Sequence, residues 1–263
     1  MRTNLSNYDS GSKFKNFFRN NGFMVALVII IIANLLLSGR SITNPLTDFK
    51  EWLIELLLIV PGIIIGITVH EFAHAFVAYK LGDSTPKVQG RVTLNPIKHI
   101  DPIGLIALLF IRFGWGKPVQ VNPYAFKHPR RDNFFVDIAG VVTNFLVAII
   151  FSGVLYVISI QAGAIINSGL SVVTFNYIYT IIYFVVWFNL VLMIFNLLPV
   201  PPLDGFGIVT EIFNLRGTAI YNTVYNMGFP ILIVLIIFNV PSRVIGPIVQ
   251  TLFDFVTGIF FGF

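Results

Sequence analysis

Long apolar runs, separated by short polar, basic or glycine- and proline-bearing stretches, set the pattern of this chain. Six runs stand out: Gly22–Leu37, Trp52–Tyr79, Asn133–Ile160, Tyr177–Leu198, Met227–Val240 and Val244–Phe261. A helix of about 20 apolar residues crosses roughly 30 Å of hydrocarbon, at ~1.5 Å per residue. The runs reach or approach that length, the fifth being the shortest. The pattern predicts an all-α polytopic membrane protein with about six transmembrane helices. It also predicts a tail over residues 1–21 and a single domain over 22–263. The first run follows a basic tail, as in a signal peptide. It ends Leu36-Leu37-Ser38-Gly39-Arg40, without the small-x-small exit of a cleavage site, and is read as a retained helix.

The connection between the second and third runs breaks this pattern. Ile103–Phe113 is apolar but too short to span. It is flanked by Val88-Gln89-Gly90-Arg91-Val92-Thr93-Leu94 and Lys117-Pro118-Val119-Gln120-Val121, which read as short strands. A small membrane-associated β-sheet with a re-entrant or interfacial helix is expected here. Such irregular backbone must be buried in protein or line a wet cavity.

Composition sharpens the class. The 263 residues are 56% hydrophobic and only 11% charged, against about 25% charged in soluble domains. The +5 net charge would raise nucleic acid as a partner for a soluble chain. Here the basic residues mark membrane sidedness instead. Fourteen of the seventeen Lys and Arg fall in the N-terminal tail, in the 80–132 connection or at Arg216, and only Arg40, Lys50 and Arg243 fall opposite. With six crossings, both termini and the middle connection are expected in the cytoplasm.

There is no cysteine, which excludes disulfides, iron–sulfur clusters and thiolate metal sites. A metal must then be held by His, Asp or Glu. The second run contains His70-Glu71-Phe72-Ala73-His74, an H-E-x-x-H pattern. Residues four apart share a helix face, so both imidazoles can reach one zinc ion. Glu71, offset by one residue, can hold water beside the metal without ligating it. Three ionisable residues at membrane depth are costly without a partner, and a dication is such a partner. A third protein ligand is required. His99, His128, Glu55, Asp101, Asp137, Asp204 and Asp254 are the candidates by residue type. The second and fourth runs both cross inward, and the fourth ends Asn196-Leu197-Leu198-Pro199-Val200-Pro201-Pro202-Leu203-Asp204-Gly205. Its prolines break the helix, which delivers Asp204 to the same side as His70.

These two motifs together resemble the site-2 protease family of intramembrane zinc metalloproteases. So do Gly90-Arg91-Val92-Thr93-Leu94-Asn95-Pro96 through His99-Ile100-Asp101-Pro102-Ile103-Gly104, and Gly114-Trp115-Gly116-Lys117-Pro118-Val119-Gln120-Val121-Asn122-Pro123. The resemblance covers about residues 60–215. It implies His70, His74 and Asp204 as ligands of one Zn2+ per chain, Glu71 as general base, and cleavage of single-span transmembrane proteins or peptides. It also implies a compact member without a PDZ or CBS domain. The family usually shows Ala-Gly-Pro-x-x-Asn in the third run; this chain has Ala139-Gly140-Val141-Val142-Thr143-Asn144. Asn144 is open to two readings: a donor to the oxyanion, or a polar bridge between helices.

His99 and Asp101 are expected to order the middle connection, and Asn189 and Asn196 to bridge helices. A substrate unwound from its helix would pair by β-addition with Lys117–Asn122 or Val88–Leu94. Partners are then the lipid bilayer and single-span substrates, with no nucleic acid; association between copies of the chain is compatible with the pattern. A bacterial plasma membrane is the expected location. The rival reading is a membrane metal transporter, which the absence of an internal repeat disfavours.

Overall fold

A computed structural model describes residues 45–111, 114–237 and 241–262. The tail and the first predicted run, Gly22–Leu37, lie outside the described residues. The helices are α1 (Pro45–Lys80), α2 (Thr85–Val88), α3 (Pro102–Ile111), α4 (Pro129–Ile160), α5 (Ala162–Asn167), α6 (Val172–Asn196), α7 (Asp204–Phe213), α8 (Ala219–Ile237) and α9 (Gly246–Phe261).

Four stretches among the described residues are long and apolar enough to cross a membrane: Lys50–Lys80, Pro129–Ile160, Val172–Asn196 and Arg243–Phe261. They match the second, third, fourth and sixth predicted runs. The protein is a multi-pass membrane protein; four of the six expected spans are found among the described residues, and the first expected span lies outside them. The fifth run falls partly in α8, which carries Pro230 inside it and is not among those four stretches; the rest of that run lies outside the described residues.

Helices α1, α4 and α6 pack against one another, and α9 closes against α4 and α6. Val141, Ala148, Val186, Leu190, Met193, Ile245, Val249 and Val256 form the buried centre of that contact. Lipid tails are as apolar as these side chains, so close packing and buried hydrogen bonds hold spans together. One such bond joins α4 to α6: the Asn144 amide donates to Asn189 Oδ1 at 2.8 Å. Asn189 itself donates to Val185 O at 2.7 Å. Asn196, expected to bridge helices, instead donates to Leu192 O of its own helix at 2.9 Å.

The middle connection corrects the strand prediction. The described residues contain no sheet; the extended pairing is a single antiparallel bridge between Ile100 and Gly116. Pro86 opens the one-turn α2, and Gly90 leaves it at φ +65°, so Val88 ends a helical turn rather than starting a strand. On the other flank, Pro118 has no N–H to give. The N–H of Val119 goes to a Glu71 carboxylate oxygen, and that of Asn122 to Asp83 Oδ2. Side chains have taken the hydrogen bonds that a partner strand would need. The short helix is confirmed as α3, started by Asp101 Oδ1, which accepts from the N–H of Ile103 (2.9 Å) and Gly104 (3.1 Å). At ten residues it rises about 15 Å, half the hydrocarbon thickness.

Candidate metal centre

His70 and His74 lie one turn apart on the inner face of α1, both buried. Asp204 is the first residue of α7 and meets them from the far side of the proline-bearing turn. Its Oδ2 lies 3.1 Å from His70 Nε2 and 3.3 Å from His74 Nε2. The two Nε2 atoms are 3.0 Å apart. One span and one short helix thus bring three donor atoms into a triangle.

The outer nitrogens fix the character of that triangle. His74 Nδ1 donates to Val136 O at 2.7 Å, and His70 Nδ1 donates to Asn144 Oδ1 at 2.6 Å. Each Nδ1 therefore carries a proton, which leaves each Nε2 available to present a lone pair to a cation. Asp204 Oδ2 is buried with no hydrogen-bond donor. With Nε2 unprotonated, the three would be acceptors facing one another, and a cation at their centre would remove the repulsion. Donors about 2.0–2.1 Å from one tetrahedral ion stand about 3.3 Å apart, close to the observed separations. The residues fit zinc, including the oxygen and main-chain partners that orient metal-bound imidazoles.

Gly140 on α4 supplies the room. A Cβ there would stand 2.5 Å from His70 Cε1 and 2.6 Å from His74 Nε2. Val141, where the resemblance expects proline, leaves α4 unbroken and buried against the bundle core. Asn144 still reaches His70.

Asn144 is fully buried, and both of its N–H groups are engaged, one with Gly66 O at 3.1 Å and one with Asn189 Oδ1. Its oxygen accepts from His70. It stands behind the imidazole with no donor left for a substrate, so the structure favours the bridging reading over the oxyanion reading.

Glu71 faces the middle connection. Its Oε2 accepts from the Val119 N–H at 2.9 Å and lies 3.7 Å from Arg91 Nη2. Arg91 is buried; burial lowers its pKa while Glu71 raises it, and a guanidinium remains charged throughout. His99 is buried and donates from Nε2 to Thr93 O at 2.6 Å. Burial pushes its pKa down against that bond, with Arg91 adding to the fall, and its bond to Thr93 O ties the loop together. Asp101 does the same at the start of α3. Asp254 pairs with Gln250 at 2.8 Å on α9, away from the triangle.

The far end of α7 is held as firmly as its start. Arg130, in the first turn of α4, donates from Nε to Glu211 O at 2.5 Å and from Nη2 to Ile212 O at 2.6 Å. Glu211 is buried and accepts from Arg216 Nε at 2.6 Å. Sequence reasoning missed Arg91, Arg130, Gly140 and the Val136 carbonyl. Arg91 and Gly140 sit inside motif stretches. A main-chain carbonyl leaves no trace in residue type.

A model of peptidase family M50 matches residues 157–239. The chain is 39% identical over 193 residues to "Putative zinc metalloprotease YwhC" of Bacillus subtilis (strain 168), covering 72% of this chain and 84% of that protein. It is 29% identical over 204 residues to "Putative zinc metalloprotease Rip2" of Mycolicibacterium smegmatis, covering 76% and 74%. Rip2 of Mycobacterium tuberculosis is 28% identical over 156 residues, covering 57% and 55%. No solved structure matches the chain.

Proposed function

Because the chain belongs to peptidase family M50, the site-2 protease family, and is a zinc metalloprotease, we propose that it cleaves single-span membrane proteins or peptides within or at the edge of the bilayer. The observation that supports this most is the triangle of His70, His74 and Asp204 donor atoms, two of them carried by a span. His70 and His74 lie about 15 and 9 Å from the Lys80 end of α1, at ~1.5 Å per residue. The chemistry therefore sits below the membrane surface, where a transmembrane segment can be reached. With the six crossings that the apolar runs predict, the basic-residue bias puts that end of α1, together with both termini, in the cytoplasm of a bacterial plasma membrane.

In this reading His70, His74 and Asp204 hold the zinc. When bound there, zinc supplies Lewis acidity that polarises a scissile carbonyl and acidifies water. Glu71 removes the proton of the attacking water and returns it to the leaving amine. The Val119 N–H keeps one carboxylate oxygen of Glu71 fixed, so the other is the one that faces water and substrate. Asn144 and Val136 O hold the imidazoles in the tautomer that points Nε2 inward. A transporter would need no base at position 71, and the named relatives are metalloproteases.

The test pairs purified wild type with Glu71→Gln on a panel of single-span substrates, with zinc measured in both and metal flux measured in proteoliposomes. Glu71→Gln retains wild-type zinc and loses cleavage by about 10²- to 10⁴-fold. A Glu71→Gln enzyme that still cut at the wild-type rate would remove the assigned base. Flux without cleavage would replace the protease reading with transport.

A further inference from the structure

Arg91 occupies a position that the metal chemistry alone does not require. It is 4% exposed and lies in the irregular stretch after α2, eleven residues beyond the end of α1. Its Nη1 donates to Lys98 O and its Nη2 to Lys117 O. Those two carbonyls bracket the 99–116 excursion that contains α3. The same Nη2 stands 3.7 Å from Glu71 Oε2. Two residues past Lys117, the Val119 N–H donates to that same oxygen. Around the rim, Lys117 N–H donates to His99 O at 2.7 Å, and His99 donates to Thr93 O.

One guanidinium therefore does two things. It closes the neck of the excursion, and it places the segment whose backbone fixes Glu71. A lysine has one compact ammonium and cannot meet two carbonyls in a planar fork while also facing the carboxylate. A purely structural arginine would bind the carbonyls alone and could sit anywhere along the loop. This one is set against the carboxylate that neighbours the metal ligands.

We propose that Arg91 is a positioning residue for Glu71, acting both directly across 3.7 Å and through Lys117 and Val119. The proposal rests on the reading of Glu71 as the base. It predicts that losing the fork leaves the zinc ligands in place but lets the carboxylate wander. Displacement of a reacting group by about 1 Å costs roughly 10²-fold in rate.

The experiment measures zinc content, kcat and KM for the full chain as wild type, Arg91→Lys, Val119→Pro, the double variant and Glu71→Gln, on one single-span substrate. Arg91→Lys is expected to keep one zinc per chain and its KM within about threefold, while kcat per bound zinc falls about tenfold or more. Val119→Pro, which removes the N–H, falls in the same way. The double variant loses less than the product of the two, because both act on one oxygen. Arg91→Gln serves as the second variant should Arg91→Lys fail to accumulate. Wild-type kcat per zinc in Arg91→Lys, a change confined to KM or to zinc content, or fully multiplicative losses in the double variant would each overturn the assignment. An active Glu71→Gln would instead sink the base reading itself.

Discussion

Replacing Gly140 with alanine tests whether the space in front of the two histidines is part of the metal centre. The added Cβ would stand 2.5 Å from His70 Cε1, 2.6 Å from His70 Nδ1 and 2.6 Å from His74 Nε2. Carbon contacts are comfortable only from about 3.5 Å, so roughly 1 Å of relief is needed. Helices α1 and α4 are packed spans, and both rings are buried; the easiest movement is rotation of the rings off their present axes. Zinc sites tolerate deviations of only about 0.2 Å. Overpacking of this kind costs about 1–3 kcal/mol. Placed on the metal-loaded geometry, that cost weakens zinc binding by about 5- to 150-fold, at ~1.4 kcal/mol per decade. The assay is competition for zinc with a chromophoric chelator, in one detergent, for wild type and Gly140→Ala. Gly153→Ala on the same helix is the control. The nearest atoms to its Cβ would belong to the Phe260 ring, at 3.2 Å, and zinc affinity should not move. Wild-type affinity in Gly140→Ala, or an equal loss in Gly153→Ala, would refute the reasoning.

Asn144→Ala leaves the His70 Nδ1–H without its acceptor, and zinc affinity should fall about 10- to 100-fold; unchanged affinity with lost turnover would restore the oxyanion role. Arg130→Met strips two carbonyl caps from α7, at about 1.5–3 kcal/mol per charged hydrogen bond, discounted for the exposed Nη2. A lower unfolding midpoint in detergent together with weaker zinc binding is expected, and stability loss without zinc loss would separate α7 from the ligand set. Because the chain has no cysteine, Gln89→Cys, Ser168→Cys and Thr218→Cys can be labelled singly. The first and third should react from the cytoplasmic side and the second from the opposite side; any other grouping contradicts the proposed orientation.

The spans were legible because lipid imposes one rule, continuous apolar length, and α1, α4, α6 and α9 obey it. The histidine pair was legible because a metal demands two donors one turn apart. Asp204 needed topology as well as residue type, and the proline run supplied it. The sheet was misread for a physical reason. Alternation in Val88–Leu94 and Lys117–Val121 looks like strand, but a strand also needs free donors, and Glu71, Asp83 and Arg91 consume the hydrogen bonds there. No local pattern announces that a side chain 39 residues distant will take a backbone N–H, as Asp83 takes that of Asn122. Asn144 carried two readings in the sequence because an amide can face either substrate or ligand; only the partners of its three polar positions separate them.

The third donor does not ride on a span. Asp204 begins a ten-residue helix tethered at its far end by Arg130, while the histidines belong to the bundle proper. Of the three proposed ligands, two are therefore held by the bundle and one by the anchorage of a short helix. Release of the ion is expected to depend on that anchorage, whose far-end contacts act as a lever on Asp204. Exchange kinetics for the ion should accordingly respond to changes at Arg130 and Glu211, at the distal end of that lever, more than to repacking between α4 and α6.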